Sequence, residues 1–142
     1  MIELLTPSIL ITDDDEAFRD TLREMLEPLG YQISVASNGE EALDIVQHRD
    51  IHLLLLDMHM PRLTGVETAR RVMRVNSRLP WILLSARVDE SIVRQAKCEN
   101  VFSILSKPVT RFAITENVQS ALRQTYNWPP LGNPPIDPSH TV

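Results

Sequence analysis

His52 to Gly65 reads HLLLLDMHMPRLTG. Leu53 to Leu56 run without a break into Asp57, and the chain turns at Pro61. A strand with one wet face alternates polar and apolar residues, so an unbroken apolar run fits a strand covered on both faces. Such strands belong to parallel sheets whose crossovers are helices. A carboxylate closing such a strand stands at the carboxyl edge of the sheet, where open parallel sheets collect their function.

Outward from this strand the chain alternates. Ser8 to Thr12 (SILIT) reads as a strand, and Phe18, Leu22, Met25, Leu26 and Leu29 follow at helical spacing up to Gly30. Tyr31 to Ala36 is a second strand, and Asn38 with Glu41 begins a second helix whose apolar face is Ala42, Leu43, Ile45 and Val46. The third strand is Ile51 to Leu56, and Thr64 to Arg78 is a helix with Val66, Ala69, Val72 and Met73 inward. Trp81 to Leu84 is a strand and Val88 to Lys97 a helix carrying Ile92, Val93 and Ala96. Val101 to Leu105 is the last strand, and Thr110 to Tyr126 the last helix, with Phe112, Val118, Ala121 and Leu122 inward. Five β-α units with short connections predict an α/β doubly wound five-stranded parallel sheet, helices on both faces.

The length of 142 residues suits one domain with its own core. Residues 1–126 are expected to form it. Residues 127–142 carry five of the ten prolines and no helical period, and they predict an extended tail or linker, with Trp128 placed to pack back on the domain. The single cysteine, Cys98, rules out an internal disulfide framework and is expected to be partly buried and inert. A formal charge of −5 argues against a dominant nucleic-acid surface. There is no membrane-length apolar run, and MIELLTPS lacks the basic start of a signal peptide, so the expected location is cytoplasmic.

The strand ends carry the chemistry. The first strand ends in Asp13, Asp14 and Asp15, the third in Asp57, the fourth in Ser85, and the fifth near Lys107, followed by Pro108. In the order 2-1-3-4-5, the first and third strands are neighbours, which brings Asp13, Asp14 and Asp57 into one pocket with Ser85 and Lys107 close by. Clustered carboxylates repel, and a hard divalent cation with oxygen ligands, Mg²⁺ by preference, relieves that repulsion. A carboxylate beside a metal, a hydroxyl and an ammonium suits acceptance of a phosphoryl group. Asp15 is better read as a helix N-cap than as a ligand.

The motifs ILITDDD (9–15), LLLLDMHMPRLTG (53–65), ILLSA (82–86) and LSKP (105–108), in this order and spacing, resemble the receiver domain of two-component response regulators. The resemblance covers about residues 8–124 and implies a flavodoxin-like (βα)5 sheet. It implies that Asp57 is phosphorylated by a histidine kinase or phosphotransfer protein. Asp14 and Asp57 would bind Mg²⁺, Asp13 would act through water, and residue 59 would contribute its backbone carbonyl, so the His59 side chain is not an implied ligand. Ser85 would bond a phosphoryl oxygen, Lys107 would pair with the phosphoryl charge, and Pro108 would follow a cis peptide bond. Gly65 would permit a tight turn in the loop after Asp57.

One position departs from the pattern. The family usually has Tyr or Phe three residues before the lysine, as half of an activation switch, and here that residue is Ile104. Phe102 lies two residues earlier and is expected on the same strand face, which makes it the candidate substitute. His59 and Arg87 flank the expected phosphoryl position. They either screen the attacking water or are solvated side chains. Arg70, Arg74 and Arg78 form one stripe expected to be a solvated helix face, and His48 and His52 are expected at the surface.

The reading that follows is a phosphorelay switch without turnover of a separate substrate. It acts on an unidentified downstream protein through helix four, strand five and helix five, a surface that would also serve a homodimer. No helix-turn-helix segment follows residue 124, so direct DNA contact is not expected. The competing class is an enzyme or binding module on a similar fold. A haloacid-dehalogenase-like phosphatase normally has a second Asp two residues after its nucleophile, where this chain has His59. A flavodoxin-like flavin binder would want a Ser/Thr/Gly-rich loop in place of DDDEAF (13–18).

Overall fold

The computed structural model describes residues 6–129. Strands β1 (Ser8–Thr12), β2 (Gln32–Ala36), β3 (Leu53–Asp57), β4 (Trp81–Ser85) and β5 (Ser103–Ser106) form one parallel sheet in the order β2-β1-β3-β4-β5. Helices α1 (Glu16–Leu26), α2 (Gly39–His48), α3 (Gly65–Val75), α4 (Glu90–Cys98) and α5 (Arg111–Tyr126) follow the strands in turn. The proline-rich stretch expected as a tail lies, from Pro130 on, outside the described residues.

The leucine run behaves as its pattern requires. β3 lies between β1 and β4, and Leu53 to Leu56 are all 0% exposed. Leu54 and Leu56 join the core layer shared with α2, α3 and α4, while Leu53 and Leu55 join the layer shared with α1 and α5. Each buried leucine is worth about 1.5–3 kcal/mol of transfer free energy, so this one strand ties the two layers together. Each of the five α-helices begins at a side-chain cap. Asp15, Asn38, Thr64, Asp89 and Thr110 accept from the backbone N–H groups of Phe18, Glu41, Glu67, Ile92 and Ala113.

Several expectations fail for identifiable reasons. β5 begins at Ser103, after Asn100 takes a left-handed φ of 57°. The chain is therefore not yet in strand alternation at Phe102, which packs in the α1/α5 layer while Ile104 packs in the α2/α3/α4 layer. Phe102 does not share the face of Ile104. Phe112 points outward and is 76% exposed. The buried stripe of α5 runs through Ile114, Val118, Ala121 and Leu122. Two residues before Ile114 is about 200° around the helix, on the far side.

Helix α3 ends at Val75, so Arg78 leaves the expected stripe. It donates to the Thr125 carbonyl at 3.1 Å and sits 5.8 Å over the Tyr126 ring, while Arg70 pairs with Glu99 at 2.8 Å. Cys98 is exposed rather than partly buried.

His52 is not a free surface residue either. Its Nδ1 accepts from the Ser8 N–H at 2.9 Å, and its carbonyl accepts from the Tyr126 hydroxyl at 2.8 Å. Trp128 packs back as expected. It stacks on Tyr126 at 4.4 Å and meets the edge of His52 at 4.8 Å. This clasp closes the amino edge of the sheet, opposite the acidic edge.

Burial lowers the pKa of His52, and Asp50 only partly counters that. The acceptor role of Nδ1 requires the neutral ring. Below the ordinary value of 6.5 the unfolded chain takes up the proton first. Stability is therefore complete above that pH and falls as the pH drops toward the lowered folded value. Thermal melts between pH 7 and pH 5 should show a decline that is shallower in His52→Asn. Equal slopes in the two proteins would remove this role.

Candidate functional site

The sheet register builds the site. Thr12 is paired with Leu56, so Asp13 and Asp57 reach the carboxyl edge side by side. Asp13 is 1% exposed and Asp57 4%, and Asp14 stands beside them in solvent. Asp13 is fixed from three directions. Its N–H donates to the Ala36 carbonyl, its carbonyl accepts from Arg19 Nη1 at 2.7 Å, and its Oδ1 accepts from the Asp15 N–H at 2.9 Å.

On the other side, Ser85 pairs with Ser106, and the Lys107 N–H donates to the Ser85 carbonyl at 2.8 Å. The Lys107–Pro108 peptide is cis. Lys107 Nζ reaches back over the strands to Asp13 Oδ2 at 2.7 Å and Asp57 Oδ1 at 3.2 Å.

Burial raises the pKa of Asp57, and the neighbouring Asp13 raises it further. The charge and hydrogen bond of Lys107, and the backbone N–H of His59, pull the other way without cancelling the rise. For Lys107, burial alone would lower the pKa. Its hydrogen bond to Asp13 and the charge of Asp57 outweigh burial and raise it. The ammonium is thus held charged by the carboxylates it neutralises. It does not neutralise all of them: one carboxylate oxygen each from Asp13, Asp14 and Asp57 lie within 4.8 Å of one another. Three carboxylates against one ammonium leave the charge of a divalent ion to be balanced, and hard oxygen donors at this spacing fit Mg²⁺. Asp15 caps α1 through its side chain and is not in this group.

The loop after Asp57 is shaped by a close approach rather than by a turn at Gly65. Arg62 takes the left-handed φ of 69° there, and Gly65 is not among the positive-φ residues. Gly65 matters because a Cβ on it would run into the Asp57 carbonyl oxygen. The Thr64–Glu67 capping box fixes the first turn of α3 at that contact, and the Gly65 N–H donates to the Met58 carbonyl at 3.0 Å.

The remaining candidates are less closely gathered. Ser85 is fully buried, but its hydroxyl donates to the Arg87 carbonyl at 2.6 Å and accepts from the Arg87 N–H at 3.2 Å. It is thus engaged with the loop before α4. The side chains of His59 and Arg87 are exposed. Two residues not expected at the site do enter it: Arg19, through the Asp13 carbonyl, and Phe18, read in the sequence only as a core position, whose ring centre lies 4.0 Å from Lys107 Nζ. Both occupy the first turn of the helix capped by Asp15, so the cap position was the signal that locates them.

The model of the response regulator receiver domain matches residues 9–119. The chain belongs to this family. Response regulator MprA of Mycobacterium sp. (strain KMS) is 33% identical over 117 residues, 82% of this chain and 51% of that protein. The chain therefore spans about half the length of the curated relatives it matches. The CheY-like receiver domain protein of Methanospirillum hungatei superposes with a TM-score of 0.84 at 22% identity, covering 87% of this chain and 98% of that one. The response regulator TrrA of Thermotoga maritima, solved with Mg²⁺ and BeF, has a TM-score of 0.76 at 29% identity, covering 82% and 100% respectively. The receiver is a signalling domain, and its acidic pocket of Asp13, Asp14 and Asp57 is suited to Mg²⁺. No helix among the described residues is long and apolar enough to cross a membrane.

Removing one carboxylate should relieve the repulsion. In EDTA, Asp57→Asn is expected to gain about 1–2 kcal/mol, or about 2–8 °C in Tm. Mg²⁺ should then raise the Tm of the wild type more than that of the variant. A melt in EDTA showing the variant destabilised would contradict the charge imbalance described above.

Proposed function

We propose that this receiver is a phosphorelay switch in which Asp57 accepts a phosphoryl group from a histidine kinase or a phosphotransfer protein. The observation that carries the reading is the convergence of Asp13, Asp14 and Asp57 with Lys107 Nζ, 3.2 Å from Asp57 Oδ1, at one sheet edge. An Asp57 oxygen attacks the phosphorus, and the bond from phosphorus to the donor nitrogen breaks, with its electron pair leaving on the imidazole. Mg²⁺, when bound, neutralises charge on the phosphoryl oxygens. Asp14 and Asp57 would hold it with the His59 backbone carbonyl, and Asp13 would act through water. Lys107 follows the new charge, and its position is set by the peptide before Pro108.

Ser85 connects the chemistry to the surface. To bond a phosphoryl oxygen, its hydroxyl exchanges the Arg87 carbonyl it now engages at 2.6 Å. That exchange frees the loop before α4 and shifts the surface of α4, β5 and α5, where a downstream protein or a second copy docks. Ile104 occupies the aromatic position of this switch and Phe102 lies in the other layer, so the loop and α4 carry the shift without an aromatic partner. The receiver unit runs over residues 1–126, with 127–142 as tail or linker, and it works in the cytoplasm.

Acetyl phosphate with Mg²⁺ should add one phosphoryl group to the wild type, seen by intact-protein mass spectrometry, and none to Asp57→Asn. Equal modification of both proteins, or none in either, would overturn the assignment. A second measurement concerns the flanking side chains. His59→Asn and Arg87→Glu are expected to change the decay rate of phospho-Asp57 by about 2- to 10-fold, the size of one exposed polar contact. Unchanged decay in both would leave them as solvated side chains.

A further inference from the structure

Phe18 lies in the first turn of α1, three residues after its cap. The Asp15 side chain accepts from the Phe18 N–H at 3.3 Å, which fixes where the helix starts and therefore where this ring falls. The ring packs partly into the α1/α5 layer. Its centre is also 4.0 Å from Lys107 Nζ. The same nitrogen is 2.7 Å from Asp13 Oδ2 and 3.2 Å from Asp57 Oδ1. The ammonium therefore has three partners, two carboxylates and one aromatic face, and its side chain is 19% exposed.

These partners are not equivalent. Asp13 and Asp57 hold Lys107 through charges that change when a cation or a phosphoryl group arrives. The negative face of an aromatic ring attracts the ammonium without competing for its protons or adding net charge. It also excludes water from one side of Nζ, which strengthens the electrostatic contacts that remain. A long, flexible lysine otherwise loses considerable rotamer freedom when held in one place.

We propose that Phe18 is a positioning residue, whose ring holds the Lys107 ammonium over Asp57 as it passes from the carboxylates to the phosphoryl oxygens. The role rests on Asp57 being the phosphoryl acceptor. A bland alternative is that Phe18 only fills the layer beneath α1. Phe18→Leu separates the two, since it keeps an apolar side chain of similar reach and removes the aromatic face. Phe18→Tyr keeps the face.

The test uses beryllofluoride as the phosphoryl analogue and Mg²⁺ alone as the control, both titrated by calorimetry. Phe18→Leu is expected to weaken beryllofluoride binding by about 3- to 10-fold, the range of a partly desolvated cation–π contact. Affinity for Mg²⁺ alone should not fall, since a less firmly held ammonium competes less for Asp13 and Asp57, and Phe18→Tyr should bind like the wild type. A ring that merely supports α1 would displace Asp13 and Asp14, so Mg²⁺ affinity would fall in parallel. That result, or unchanged beryllofluoride binding in Phe18→Leu, overturns the role.

A measurement on the metal-free wild type needs no variant. The Lys107 ε-methylene protons should resonate upfield of ordinary lysines, shifted by the ring current of Phe18, and ordinary shifts count against the contact. Failure of the wild type itself to bind beryllofluoride would remove Asp57 as acceptor and this role with it. Normal wild-type binding with no loss in Phe18→Leu removes only the role of Phe18.

Discussion

One ammonium shared between two buried carboxylates organises the acidic edge of this domain. Lys107 reaches Asp13 and Asp57 from the far side of β4, and those carboxylates end adjacent strands. Without that cation, two nearly inaccessible negative charges would face each other at the end of the most buried strands in the fold, and burying unpaired charge is among the most expensive things a protein can do. The rest of the edge serves this pairing. The order β2-β1-β3-β4-β5 puts β1 beside β3, the close approach of Gly65 holds the backbone of Asp57, and Arg19 holds that of Asp13.

The arrangement is balanced rather than settled. Lys107 satisfies two carboxylates of a cluster of three, and burial with Asp13 still raises the pKa of Asp57. Asp57 is therefore where burial and charge are least compensated at this edge. On the opposite side of Ser85, α4 is tied down at its C-terminal end. Trp81 Nε1 donates to the Glu99 carbonyl at 2.8 Å, and Arg70 pairs with the Glu99 side chain at 2.8 Å. The N-terminal end of α4 is held by its Asp89 cap, by the buried Ile92 and by the loop to which Ser85 is bonded.

Much of this was legible in the residues. Four leucines at the centre required cover on both faces, and the alternation of strands and helices set the sheet, so Asp13, Asp14, Asp57 and Lys107 could be placed together before any contact was seen. Two misplacements, Phe102 and Phe112, share a cause, which is phase. Phe102 precedes the start of β5, so the period of two that would align it with Ile104 did not yet apply. Phe112 lies about half a turn from the buried stripe of α5, which a count of apolar residues alone does not reveal. The surroundings of His52 and Arg78 depend on distant segments. Ser8, Tyr126 and Trp128 enclose His52, and nothing near it in the sequence announces them. Phe18 read as a core position, and only the approach of Lys107 from β5 gives its ring a second neighbour.

Helix α5, like β1 and β3, spans the distance between the acidic edge and the clasp. Its cap, Thr110, follows the Lys107–Pro108 peptide closely, and its last residue, Tyr126, belongs to the clasp with His52 and Trp128. Its 16 residues make a rod of about 24 Å. A hydrogen-bonded helix does not stretch, so a tilt of its upper end must appear at its lower end. At that lower end Arg78 grips the Thr125 carbonyl and Tyr126 is bonded to the backbone of His52. The clasp is thus the fulcrum of a lever whose other arm begins beside the lysine.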